Sequence, residues 1–353
     1  NRDALLCRYA SDGQLVWARG TGGSGEDRAY GIIQDADSNY FVTGLFTGIV
    51  DFGNTRLTCS SLFGTYVGKI SGQGNFLWAV KGDGGANDFA RGFGVVTDPA
   101  GNAVVNGFFS GVLRMGGFTL NATGGQYDQD GYILKFNTNG NVVWAKRTGG
   151  NGTDQGTDLH ATSTGEIIEV GFFQDTARFA NLSVVAAGLS DVFVAKYDSS
   201  GNVLWVEGYG GSGNEFGYGV TGDMLGNVFI TGAFSGSSMF GNQALVSAGG
   251  NDIFMAGIAD VSNSIPDNES SVSAFIYPNP STGWFRFDCS SLAGTGKAIG
   301  IHIMDMAGKT TYHNENIDSQ AMIDVSEIES GCYVVRFYNE DFSTCTRLVI
   351  GSR

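Results

Sequence analysis

The chain has 353 residues, 35 acidic against 20 basic side chains for a net charge of −15, and 56 glycines against 4 prolines. So acidic a chain is repelled by nucleic acid and by anionic membrane surfaces, and no apolar run reaches the length of a membrane span. Hydrophobic content of 42% is enough for real cores.

From the N-terminus, DALLCRY at Asp3 is followed by a turn and by LVWARG at Leu15. The same pairing returns as DGYILKF with VVWAKRTG, and as DVFVAKY with VLWVEGYG. Alternating strands around Gly/Asn turns predict antiparallel hairpins, because Gly and Asn tolerate the positive φ of tight turns. Trp17, Trp78, Trp144 and Trp205 recur at intervals of 61, 66 and 61, and Gly44, Gly107, Gly171 and Gly232 at 63, 64 and 61. FGN at Phe52 returns as MGG at Met115, FAN at Phe179 and FGN at Phe240. A period near 60 with strand content and no helical periodicity predicts an all-β, β-propeller-like repeat array over residues 1–260, in four units of 61–66 residues.

These residues resemble the SBBP-type β-propeller repeats of bacterial secreted proteins, which run roughly D-x-F-V-A-K-Y, G-N-x-x-W-A, G-G, then D-x-x-G-N-V-Y-V-T-G. The resemblance covers Asp3 to about Asp260. In one unit the turn is TSTGE (Thr162 to Glu166), a mild departure. With GIIQD, GFGVVTD, DLHAT and GYGVTGD as innermost strands, the D-x-F strand occurs five times and its tryptophan partner four. The expectation is the C-terminal part of a longer propeller, with a closed ring of four or five blades as the rival.

Residues 261–271, VSNSIPDNESS, read as a short flexible linker. Residues 272–353 carry about seven short strand signals, the arithmetic of a small Ig-like β-sandwich. The ordered motifs are YPNPSTG (Tyr277, Pro278, Asn279, Pro280, Gly283), the D-x-x-G-K element (Asp305, Gly308, Lys309), and a stretch from Ile323 through Gly331 and Tyr333 to VVRF with Arg336. They resemble the type A C-terminal sorting domain of the type IX secretion system of Bacteroidetes over nearly its full length. The departures are Cys332, where an aliphatic residue is common, and the GSR terminus.

That resemblance implies export to the surface or medium of a Gram-negative cell. The implied partners are a translocon, a β-barrel shuttle and a sortase, all acting through residues 272–353. Cys7, Cys59, Cys289, Cys332 and Cys345 are odd in number, so at least one thiol is unpaired within the chain, and their spacing suggests no metal cluster.

No nucleophile elbow is visible, and His160 reads as a core or pore-lining residue rather than a base. A sialidase-like aspartate box places its aromatic three residues after glycine, whereas Gly13 to Trp17 and Gly140 to Trp144 are each four. The expectation is therefore a non-enzyme. Asp27, Asp88, Asp154 and Glu215 recur at the tryptophan spacing and are expected on one face. Such carboxylates would bind calcium or glycan hydroxyls, although the preferred reading is that each caps its own turn. The tryptophans are expected to pack between blades, and Asp175-Thr176-Ala177 matches a short O-glycosylation pattern seen in Bacteroidetes. The sequence thus predicts type IX cargo with a non-enzymatic binding or adhesion propeller for a glycan or protein ligand. The alternatives are a secreted glycan-active enzyme and a structural subunit of a surface or secretion complex.

Overall fold

The computed structural model describes residues 2–125, 127–223, 226–258, 275–277, 281, 283–288, 299–305, 309–317, 321–338 and 343–351. It divides into two compact units, Asn1–Asn263 and Ser264–Arg353. Both are all-β, and the described residues contain no helix.

The first unit opens with a hairpin, β1 (Ala4–Tyr9) and β2 (Leu15–Thr21). A four-stranded meander follows: β3 (Arg28–Gln34), β4 (Tyr40–Phe46), then β7 (Gly64–Ile70) and β8 (Phe76–Asp83) after a small hairpin, β5 (Ile49–Phe52) with β6 (Thr55–Thr58). The plan repeats as β9 (Phe89–Thr97), β10 (Ala103–Ser110), hairpin β11 (Val112–Met115) with β12 (Phe118–Asn121), β13 (Asp130–Phe136) and β14 (Val142–Gly149). It repeats again as β15 (Gln155–Ala161), β16 (Ile167–Phe173), hairpin β17 (Thr176–Phe179) with β18 (Leu182–Val185), β19 (Asp191–Tyr197) and β20 (Val203–Gly211). The last sheet is β21 (Glu215–Gly222), β22 (Val228–Phe240) and β23 (Gln243–Ile258). The D-x-F strand thus occurs five times and the tryptophan strand four. The all-β meanders are consistent with a propeller-like array.

Two of the small hairpins extend the sheet before them, whereas β5 and β6 form a two-stranded sheet of their own. Arg114 and Met115 pair with Asp83 and Gly82 of β8, and Phe179 and Arg178 pair with Thr148 and Gly149 of β14. A second link uses tryptophan. The Trp17 indole donates to Gly72 O at 3.0 Å, Trp78 to Thr138 O at 3.1 Å, and Trp144 to Ser199 O at 3.3 Å, each in the turn of the following sheet. The ring lies on the turn glycine, so that a Cβ on Gly74, Gly140 or Gly201 would approach it to 2.8 Å. Trp205 Nε1 is buried with no partner among the described residues.

Between the sheets lie continuous apolar clusters, for example Phe41, Val67, Val105, Phe109, Tyr132 and Phe136. Residues on the middle strands are buried on both faces, which is why DGYILKF and DVFVAKY are nearly continuous apolar runs. Their one lysine is buried and paired: Lys69 Nζ lies 2.9 Å from Asp35, Lys135 2.8 Å from Asp98, and Lys196 3.0 Å from Glu166.

The described residues of the second unit form two sheets, β24 (Phe275–Tyr277), β25 (Trp284–Asp288) and β28 (Met322–Asp324), and β27 (Thr310–Ile317), β26 (Ile299–Asp305), β29 (Gly331–Tyr338) and β30 (Ser343–Ile350). Phe285, Phe287, Ile301, Ile303, Val335, Phe337 and Leu348 are buried in its core. This seven-stranded packing is Ig-like.

Candidate functional site

The repeated acids are spent on their own backbone. Asp27 accepts from Gly23 N at 2.7 Å and Thr47 N at 3.2 Å, and Asp154 from Gly150 N at 2.6 Å and Gln174 N at 3.0 Å. Glu215 accepts from Gly211 N at 2.9 Å and from Ser238 Oγ at 2.7 Å. Each therefore ties the corner after a tryptophan strand to the corner before a small hairpin. All three are almost completely buried, and burial raises each pKa above its usual range, that of Asp154 to about 7.

Asp88 stands apart. Ala29, Gly92, Gly156 and Gly217 pair with Gly44, Gly107, Gly171 and Gly232, so Asp27, Ala90, Asp154 and Glu215 share a register position. Asp88 lies two residues earlier, in a longer corner, where it accepts from Gly85 N and Val112 N. Equal spacing from the tryptophans conceals that insertion. Among the described residues no group of three or more His, Cys, Asp or Glu side chains is placed to hold a metal ion.

His160 is half-buried on β15, and burial holds its pKa below the usual range, partly opposed by Asp158. His302 meets Thr310 and His313 meets Tyr338 within the second unit. Cys7, Cys59 and Cys332 are free thiols, whereas Cys289 lies outside the described residues.

Two features escaped the sequence reading. The Arg91 guanidinium lies 5.4 to 5.7 Å from the rings of Tyr30, Phe63, Phe93 and Phe108, a cation–π cluster between β3 and β9. Rings separated in sequence carry no shared signal. The other is a cavity of about 340 Å³ bounded by Thr123, Arg147, Asn151, Asp175, Thr176 and Arg178. Arg147 is held by Asp130 at 2.5 Å and Thr123 Oγ1 at 2.9 Å. The Asp175 carboxylate and the Arg178 guanidinium make no hydrogen bond or ion pair with a described residue.

In the second unit, the motif residues hold the sandwich together. Ser281, fully buried, donates its N–H to Val349 O at 2.8 Å, receives Gly351 N at 2.8 Å, and donates its hydroxyl to Trp284 O at 2.7 Å. The YPNPSTG motif is thereby fastened to the last strand, with Gly283 O accepting from Val325 N. Asp305 and Lys309 are joined by two bonds of 2.9 Å. The Tyr333 hydroxyl donates to Glu329 O at 2.8 Å, Gly331 opens β29, and the Arg336 guanidinium lies 5.4 Å from the Tyr338 ring. Pro278, Asn279, Pro280 and Gly308 lie outside the described residues, as does the side chain of Tyr277.

Residues 275–351 match the family of the secretion system C-terminal sorting domain. This tail supports export as type IX cargo and indicates a secreted or cell-surface protein. Over 184 residues, 46% of the chain, the sequence is 26% identical to an uncharacterized WD repeat-containing protein of Acanthamoeba polyphaga mimivirus, of whose length it spans 13%. Two solved structures, extracellular domains of B. thetaiotaomicron described as parts of a hybrid two-component and a one-component system, align with TM-scores of 0.19 and 0.18. Identities are 8% and 11%; the alignments cover 91% and 98% of this chain and 57% and 83% of those chains. Similarity that low carries no argument about this chain.

Proposed function

We propose that the chain is a cargo of the type IX secretion system whose first unit is an SBBP-type β-propeller acting as a non-enzymatic binding or adhesion module at the outer face of the cell. The observation that carries the export reading is the tail itself: an Ig-like sandwich in which Ser281 fastens the opening motif to the terminal strand. Exposed edge strands such as β27 give a shuttle or translocon a backbone to grip. A sortase would act at the chain between the two units.

The binding reading rests on how the polar groups are used. The repeated carboxylates serve their own corners, an arrangement suited to a scaffold. A glycan-active enzyme is the alternative reading.

The export reading is tested by expressing the full chain, and a variant ending before Phe275, in a bacterium with an active type IX system. The full chain should reach the surface or medium and the truncated chain should stay in the periplasm. Equal export of both overturns the reading.

A further inference from the structure

The repeats supply an internal control, because each small hairpin can be compared with its equivalents in the same chain. At the residue before the hairpin, three units carry glycine in the left-handed region: Gly48 (φ 64°), Gly111 (φ 71°) and Gly236 (φ 72°). The fourth carries Asp175 at φ 51°. At the turn within the hairpin, Gly53, Gly116 and Gly241 are matched by Ala180 at φ 56°. A Cβ in this region is strained, less so for Asp, and such strain concentrates at binding sites. Here both departures border cavities, Asp175 the one of about 340 Å³ and Ala180 one of about 300 Å³, and Arg147 lines both.

We propose that the cavity bounded by Arg147, Asn151, Asp175, Thr176 and Arg178 binds a neutral sugar. Its volume falls at the small end of the range for small-ligand sites, about 300–1,000 Å³. Its charges balance. Arg147 is neutralised by Asp130, and the unpaired Arg178 is matched by the unpaired Asp175. An anion would meet the Asp175 carboxylate, whereas a polyol can donate hydroxyls to that carboxylate and accept from Arg178 and Asn151. The equivalents of Arg178 are Asp51, Arg114 and Met239, and glycine replaces Asp175 in all three, so no other hairpin presents the pair.

This assignment rests on the binding-module reading. Saturation-transfer NMR on the full chain would use the methyl glycosides of glucose, galactose, mannose and N-acetylglucosamine, with glucuronate and inorganic phosphate as anionic probes. Transfer to at least one neutral glycoside is expected. Arg178→Ala should weaken it at least about tenfold, the cost of a charged hydrogen bond. Asp175→Gly should weaken it similarly while raising the unfolding midpoint, a combination that a merely tolerated aspartate would not give. No transfer to any neutral glycoside, transfer to the anions alone, or undiminished binding by both variants overturns the proposal. Neither residue belongs to the sorting tail. Failed binding with export intact therefore removes the sugar assignment, and failed export removes the reading beneath it.

Discussion

Lys196 Nζ lies 3.0 Å from Glu166 Oε2, at the far end of the turn from the acids that pair the equivalent lysines in the neighbouring sheets. Those sheets use Asp35 and Asp98, the first residues of D-x-x-x-N turns, whose Asn39 and Asn102 bond the same carboxylates. In TSTGE the first position is Thr162 and the last is Glu166, so the acid has moved four residues while the ion pair is kept. Burial opposes ionisation of Asp35 and Asp98, but their lysine and asparagine bonds outweigh it and hold both pKa values below the usual range.

Glu166→Asn should destabilise by about 1–3 kcal/mol. That is less than the roughly 3–5 kcal/mol for breaking a fully buried pair, because a third of Glu166 meets water. Adding Thr162→Asp should recover most of the loss by rebuilding the pattern of the other turns. Urea midpoints at constant slope measure both changes; a double variant no better than the single one sinks this account.

The tryptophan contact has its own control. Gly13 and Gly140 occupy the same turn position at φ 84°, yet a Cβ on Gly13 meets nothing within 4 Å while one on Gly140 meets the Trp78 ring at 2.8 Å. Gly13→Ala should cost only the backbone term, about 1–2 kcal/mol, and Gly140→Ala a further 1–3 kcal/mol, roughly, for overpacking. Equal losses in thermal or urea unfolding would show that the ring moves aside freely.

Glu169 is fully buried on β16, accepts from the Tyr197 hydroxyl at 2.8 Å and Asn106 Nδ2 at 3.1 Å, and has its pKa raised by burial to about 7. The folded state therefore keeps a proton that the unfolded chain releases near 4.5, and Asp154 behaves alike from 3.8. This stabilisation is complete below the unfolded values and is lost as pH rises to about 7, on the order of a few kcal/mol for each group. Stability measured from pH 4.5 to 7.5 should fall in the wild type, and Glu169→Gln should flatten the slope.

Ser281 should be sensitive for the same reason that it is buried. Ser281→Ala removes the hydroxyl bond to Trp284 O and should cost about 1 kcal/mol, whereas ending the chain before Leu348 removes the end of β30 that Ser281 clasps. Limited proteolysis should leave the first variant resistant and open the tail of the second, which should also remain unexported.

The meanders and the sandwich were legible because turns, alternating strands and tryptophans recur in order. The count of five D-x-F strands to four tryptophan strands was readable from residue types alone. The small hairpins were not: FGN and its relatives marked a recurring point, but their pairing with the preceding sheet depends on contacts the sequence does not print. The offset of Asp88 was hidden for a related reason, since two extra corner residues shift its register without changing its distance from Trp78. The cavity at Asp175 was hidden in the opposite way. Its lining comes from residues that break the repeat, and repetition is what sequence comparison within one chain detects.

The hydrogen bond from Trp17 to Gly72 O spans 55 residues, that from Trp78 to Thr138 O spans 60, and that from Trp144 to Ser199 O spans 55. Each of these three outer strands is therefore completed by a turn that belongs to the next sheet, so that removing one sheet would uncover the tryptophan of the sheet before it.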